Sequence, residues 1–260
     1  MRGTVVDAIH RVHTDAGDAM TLRYSLIVPA FNEERLLPRL LASVAVARAR
    51  HARPEAIEVI VADNASTDRT AQVAAAAGCR VVTVAKRVIG AVRNGGAAAA
   101  RGELLCFIDA DSQVHPQTFN ALDEALARGR CVGGATGVTL ERWSVGIALT
   151  YALFLPMVWI TGMDAGVVFC RRSDFEAIGG YDETRLVAED VAFLWALRRL
   201  GRSRGERLRR VTAAKAVAST RKFDEFGDWH TFSLVSEGLR HFFKGKPTEF
   251  TDRYWYKPKR

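Results

Sequence analysis

Short, predominantly apolar runs punctuate the first half of the chain: Ser25-Leu-Ile-Val-Pro29, Ile57-Glu-Val-Ile-Val61, Arg80 to Val84 and Leu104-Leu-Cys-Phe-Ile108. Runs of this length and density predict strands buried on both faces of a sheet. Between the first two, Leu36, Leu37, Leu40, Leu41 and Val44 recur at helical spacing and predict a helix over 33–50. Ser66 and Asp68 followed by an Ala-rich run predict a second helix, stopped by Gly78. Residues 94–101 predict a third helix of small residues, ending at Gly102. Strand and helix alternating in this way predict an α/β protein with a mostly parallel sheet flanked by helices. In such sheets ligands bind beyond the carboxyl ends of the strands.

Polar chemistry gathers at those ends. The first strand runs into Asn32-Glu33-Glu34, the second into Asp63-Asn64 and the fourth into Asp109-Ala110-Asp111. Parallel neighbours place these groups on one edge, where clustered carboxylates are costly unless a cation joins them. Two carboxylates spaced as Asp109 and Asp111 suit Mg²⁺ or Mn²⁺ that also holds phosphates. The Ala/Gly stretch 94–102 has neither a GxGxxG pattern nor a Lys-Ser/Thr pair, so close helix packing accounts for it better than a phosphate cradle. His115, before Pro116, reads as a turn residue rather than a third metal ligand.

Composition narrows the class. The 260 residues are 48% hydrophobic and 25% charged, which excludes disordered and collagen-like architectures and allows one domain with an ample core. The net charge of +8 is unevenly placed: residues 198–260 hold 17 Lys/Arg and 7 Asp/Glu, a net of +10, which leaves −2 for the rest. Basic and aromatic residues interleave there, which suits an anionic membrane surface or single-stranded nucleic acid. Four widely spaced cysteines without a CxxC pair read as reduced core thiols, and residues 1–19 show no apolar leader. Both point to a cytoplasmic protein. Trp143 to Met163 contains no charge. Spanning a membrane there would put Asp63 and Asp109 on the side opposite Glu189 and Asp190. The run therefore predicts a core helix, or one half-immersed in an interface as Trp143, Tyr151 and Trp159 would suit.

Six stretches together resemble the family 2 glycosyltransferases, which have the GT-A fold. They are Ser25-Leu-Ile-Val-Pro-Ala-Phe-Asn-Glu-Glu34, Val61-Ala-Asp-Asn-Ala-Ser-Thr-Asp68, Arg93-Asn-Gly-Gly-Ala-Ala-Ala-Ala-Arg-Gly-Glu103, Phe107-Ile-Asp-Ala-Asp-Ser112, Gly179-Gly-Tyr-Asp182 and Ala188-Glu-Asp190. The resemblance implies a Rossmann-like GT-A domain over 23–222, after a lead-in over 1–22 and before a basic, helical extension over 223–260. It implies an inverting, metal-dependent transfer of a sugar from a nucleotide-diphosphate donor to an acceptor hydroxyl. Pro29, Asn32 and Glu33 would line the nucleotide pocket, Asp63 would touch the base, and Arg93 would lie near the nucleotide sugar. Asp109 and Asp111 match the DxD motif, with Asp109 near the ribose and sugar and Asp111 ligating Mg²⁺ or Mn²⁺. Glu189 and Asp190 match the acidic pair, with Asp190 as catalytic base at a helix N-terminus whose dipole keeps it ionised. Arg221 is expected to contact the diphosphate or the acceptor.

Asn64 stands where many relatives have a second acid, and no Gln/Arg-x-x-Arg-Trp motif appears, which argues against a processive polysaccharide synthase. The acceptor is expected to be a lipid carrier or a glycan at the inner face of the membrane, with the protein peripheral to it and no nucleic acid as partner. A nucleotidyltransferase-like enzyme and a non-enzymatic nucleic-acid module are the alternatives. The first lacks the Gly-rich basic loop it would need after the first strand, and the second would not need Asp109, Asp111 and Asp190.

Overall fold

The computed structural model describes residues 21–161, 166–185 and 188–229. Most of the lead-in (1–20) and of the basic extension (230–260) lies outside the described residues, as does Met163 at the end of the uncharged run.

Seven strands form one sheet in the order β3-β2-β1-β4-β6-β5-β7. They are β1 (Tyr24–Ala30), β2 (Ile57–Asp63), β3 (Arg80–Thr83), β4 (Leu104–Phe107), β5 (Cys131–Leu140), β6 (Val168–Arg171) and β7 (Arg207–Ala218). Pairing is parallel throughout except that β6 runs against both β4 and β5. The helices are α1 (Leu37–Ala49), α2 (Thr70–Ala76), α3 (Ile89–Ala99), α4 (Thr118–Ala127), α5 (Val145–Thr161), α6 (Arg172–Ala177), α7 (Glu189–Ser203) and α8 (Arg221–Phe226).

Every residue of β1 is buried, as its apolar run requires. Leu26 and Val28 face a core built with Leu37, Leu40 and Val44 of α1 and with Phe119 and Leu122 of α4. Ile27 faces the opposite layer with Ala97 of α3, Phe175 of α6, and Phe193, Leu194 and Leu197 of α7. The small residues of α3 permit close approach to the sheet: a Cβ on Gly96 would lie 2.5 Å from Ile27 Cγ2.

Helix starts differ from expectation. The first helix begins at Leu37 rather than at residue 33, with Pro38 in its first turn, and the second at Thr70 rather than at Ser66. In both cases the intervening polar residues form a loop that bears on the site. The third helix begins earlier than expected, at Ile89, which puts Arg93 in its middle. The expected boundary between residues 222 and 223 falls inside α8. The uncharged run forms α5, and among the described residues no helix is long and apolar enough to cross a membrane. Cys106, Cys131 and Cys170 are buried free thiols, and Cys79 is half-buried.

At the amino end of β1, Asp123 Oδ1 accepts hydrogen bonds from Arg23 and from the buried Tyr24 hydroxyl (2.8 Å), while its Oδ2 meets His51 Nε2 at 2.8 Å. Burial pushes the Asp123 carboxyl up, but the bonds from His51, Tyr24 and Arg23 outweigh it and hold it below the usual carboxylate range. A carboxyl depressed by folding stabilises the native state above its unfolded pKa, and that stability is lost as pH falls through the folded value. Asp123→Asn is therefore expected to lose about 2 kcal/mol at neutral pH and to show a smaller further loss on acidification. Urea unfolding at neutral and acidic pH checks this, and equal stabilities at neutral pH would remove the network's role.

Candidate active site

The strand order reverses between β1, which continues to β2 on one side, and β4 on the other. Loops leaving the carboxyl ends at such a switch open a crevice. Register brings these ends together: Ala30 pairs with Asp63, and Ile27 with Phe107. Pro29 fits a central strand only because of this register. Ile27 bonds toward β4 and Ala30 toward β2, so the missing Pro29 N–H faces the side where β4 pairing has already ended.

The loops after β1 and β2 are clasped to each other. Asn32, at φ +54°, donates its backbone N–H to Ser66 Oγ (3.0 Å) and accepts from Thr67 N at Oδ1 (2.8 Å). Glu33 N donates to Thr70 Oγ1 (2.8 Å) and Glu34 N to Asp68 Oδ2 (3.1 Å). Asn32 thus lies on the site edge but shapes the loops, with its carbonyl oxygen already engaged. Asp63 is 5% exposed. Its Oδ2 accepts from Ser66 N (3.2 Å), while its Oδ1 is buried without a partner and remains able to accept a donor N–H. Asn64 uses the donor capacity that a carboxylate would lack: Nδ2 bonds Val84 O (2.6 Å) and Lys86 O (3.0 Å), fixing the loop that leads into α3.

Arg93 is the hub of the second half of the site. Its Nη1 donates to Glu189 Oε1 (2.9 Å) and Asp190 Oδ1 (2.5 Å), and its Nη2 to Asp109 Oδ1 (3.0 Å). Arg93 is buried, and its guanidinium stands over the Tyr181 ring at 5.1 Å. Tyr181 in turn stacks on Phe193 of α7, with ring centroids 4.2 Å apart. The Gly-Gly-Tyr turn that delivers it needs glycine. Gly180 has φ +73°, and a Cβ there would lie 2.7 Å from Asn94 Oδ1. Asn94 clamps this turn by accepting from Tyr181 N (2.9 Å) and donating to Tyr181 O (2.9 Å). Between Arg93, Asp109 and Asp190 opens a cavity whose wall includes Ser112, Val138 and Ala216.

Helix α7 places Glu189 and Asp190 in its first turn, as expected. The dipole does not decide the charge state of Asp190, however. Burial pushes its carboxyl up to about 6, with Glu189 and Asp109 adding to the shift and Arg93 opposing it. The group therefore changes charge close to neutrality.

A second cation closes the other side. Arg221 holds Glu33 in a two-pronged bond (2.9 Å each) and reaches Asp111 Oδ2 at 3.4 Å. Glu33 is raised by burial against this pairing. Asp111 is also raised, by burial and then by Asp109, with Arg221 and Lys222 opposing. Burial lowers Lys222 to about 8, against the pull of Asp111 and Asp109. Among the described residues no group of three His, Cys, Asp or Glu could hold an ion. Asp109 and Asp111 alone fit the sparse carboxylate set by which Mg²⁺ or Mn²⁺ is held when phosphate oxygens complete its shell. His115 is engaged in a turn, accepting from Gln117 N at Nδ1 (3.1 Å).

Pro29, Asn32 and Asp63 stand at the carboxyl ends of β1 and β2, and the other seven expected site residues form two groups. Arg93 gathers Asp109, Glu189 and Asp190, and Arg221 gathers Glu33 and Asp111. Sequence reasoning missed Lys222, Tyr181 and Asn94. Lys222 adjoins Arg221 in the basic pair 221–222, and its position was the available signal. Tyr181 and Asn94 act through three-dimensional neighbours that no spacing announces.

The family model described as Glycosyl transferase family 2 matches residues 25–155, just over half of the chain. An uncharacterized glycosyltransferase of Mycobacterium tuberculosis is 34% identical over 114 residues, 44% of this chain and 46% of that protein. The undecaprenyl-phosphate 4-deoxy-4-formamido-L-arabinose transferase of Pseudomonas paraeruginosa is 36% identical over 123 residues, 43% of this chain and 34% of that protein. The matched stretches thus span less than half the length of these relatives. The solved structure of glucosyl-3-phosphoglycerate synthase from M. tuberculosis with Mn²⁺, UDP and phosphoglyceric acid superposes with a TM-score of 0.56 at 22% identity, covering 84% of this chain and 78% of that one.

Proposed function

This chain belongs to glycosyl transferase family 2, and from that premise we propose that it moves a sugar, with inversion, from a nucleotide-diphosphate donor to a hydroxyl carried by a membrane lipid. The observation that carries this reading is the pair of carboxylate groups at one sheet edge, one set on Arg93 beside the cavity and one on Arg221. Asp63 Oδ1 accepts an N–H of the base. Arg221 and Lys222 answer the diphosphate. Asp109 and Asp111 would hold Mg²⁺ or Mn²⁺, which would supply Lewis-acid stabilisation of the departing diphosphate. Asp190 takes the proton of the acceptor hydroxyl as its oxygen bonds the anomeric carbon. The bond from that carbon to the donor phosphate oxygen breaks on the opposite face, and its electron pair leaves with the diphosphate. Glu189 keeps Arg93 in place. The undecaprenyl-phosphate relative supports the lipid and not the hydroxyl on it, since its named lipid carries a phosphate; a lipid acceptor would place the protein at the membrane surface.

A thermal-shift screen of uridine and guanosine diphosphate sugars, with and without Mn²⁺, tests donor and metal together. At a donor concentration 100-fold above its Kd, stabilisation of about 2.7 kcal/mol is expected. Asp111→Asn should lose the metal-dependent part of that gain. Stabilisation indifferent to Mn²⁺ and to this substitution would overturn the metal site.

A further inference from the structure

Exposed apolar surface is concentrated in one place. Among the described residues, eight large hydrophobic side chains are exposed, and six of them are Trp143, Val145, Leu149, Leu153, Phe226 and Trp229. These belong to α5 with the residues leading into it, and to α8 with the turn after it. The two segments are joined. Arg142 holds both Asp224 and Asp228 at 2.6 Å, and a Cβ on Gly146 would lie 2.7 Å from the Asp228 carbonyl oxygen. Along α5, Val145, Ala148, Leu149, Ala152 and Leu153 are exposed while Gly146, Ile147 and Thr150 are buried. The exposed set follows i, i+3, i+4, i+7, i+8, the spacing of a single helix stripe. A helix on a domain surface ordinarily turns polar residues outward; among the described side chains of this one, the exposed residues are all apolar.

The charge around the stripe indicates what covers it. No charged residue occurs from Trp143 to Met163, while residues 230–260, which follow directly from Trp229, carry seven Lys/Arg against three Asp/Glu. An uncharged apolar face followed in sequence by a basic, aromatic-rich stretch complements a bilayer of acyl chains under anionic headgroups. We infer that the face made by Trp143, Val145, Leu149, Leu153, Phe226 and Trp229 seats the protein on an anionic lipid surface. The inference deepens the reading of the acceptor as lipid-borne and rests on it. The geometry suits delivery: α8 begins at Arg221, on Glu33 and Asp111, and Phe226 lies five residues on, about 8 Å along the helix.

The test uses the full chain, vesicles of mixed phosphatidylcholine and phosphatidylglycerol, and physiological salt. The wild type should sediment with the vesicles, and brominated acyl chains should quench its tryptophan fluorescence. Leu149→Glu/Leu153→Glu should weaken vesicle binding about tenfold or more, since two charges replace two inserted side chains. Both leucines are exposed, so the melting temperature should hold. Four outcomes overturn the inference. The wild type stays in the supernatant; bound protein escapes bromine quenching; the double variant binds as well as the wild type, assigning attraction to the basic residues alone; or light scattering shows a dimer that the double variant abolishes, assigning the face to a second copy. Nucleotide-sugar binding with Mn²⁺ is read separately on the same proteins. Its failure would sink the transfer reading and leave the vesicle result standing.

Discussion

Asp190→Asn is expected to bind the donor as the wild type does and to lose transfer by about 10²–10⁴-fold, the usual contribution of a positioned base. The side chain sits in the first turn of α7, held by Arg93 at 2.5 Å. Burial pushes it up to about 6. At neutral pH it is mostly ionised, yet basic enough to take a hydroxyl proton as the new bond forms. Protonation removes that capacity, so wild-type transfer should fall as pH drops through about 6. The asparagine variant should show no such limb. Initial rates across pH, paired with calorimetric donor binding, read both effects. A variant with wild-type turnover would sink the role as base. It would point instead to an acceptor, such as an ionised phosphate, with no proton to remove.

Arg93→Leu carries the largest expected effect on stability. One buried guanidinium serves Asp109, Glu189 and Asp190. Removing it leaves three carboxylates without their common partner, a loss of about 3–5 kcal/mol for a broken buried ion pair. Arg93 also pulls Asp190 down, so its loss raises that carboxyl further. The folded fraction should then transfer slowly at neutral pH and recover as pH rises. Arg93→Lys keeps the charge but not the fork that reaches two elements at once, and should fall between. Urea unfolding and a pH–rate profile measure the two consequences. A leucine variant as stable as the wild type would show that the cluster does not depend on this cation.

Much of the fold was legible in the sequence because buried parallel strands are written as unbroken apolar runs. β1, β2, β3 and β4 fall where those runs predict them. The loops were less legible. Glu33 and Ser66 read as helix starts because polar residues before an apolar-periodic segment resemble caps. In the fold, the 31–36 and 64–70 segments bond to each other across the sheet edge, a non-local preference that local pattern cannot carry. Glu33, Asp63, Asp109 and Asp111 could be named from strand ends alone. Glu189, Asp190, Arg93 and Arg221 came only with the family resemblance. Arg93 lies in a helix of small residues that announces packing rather than charge, and neither Asn94 nor Tyr181 has a spacing that reveals its partner. The uncharged run was recognised as unusual, but only its exposure on α5 separates an outward-facing stripe from a buried helix.

Arg221 meets Glu33 across 188 positions of sequence. On a ribosome, the two sides of this ion pair emerge far apart in time. All the carboxylates of the site are synthesised before either member of the 221–222 pair. A growing chain that has already formed β1 to β4 therefore exposes acidic groups with no counter-charge on that side, and contacts of such long range form late in folding. The last described helix thus supplies, late in synthesis, the cation that Glu33 and Asp111 share, so this edge reaches its charge balance only after every strand of the sheet has been made.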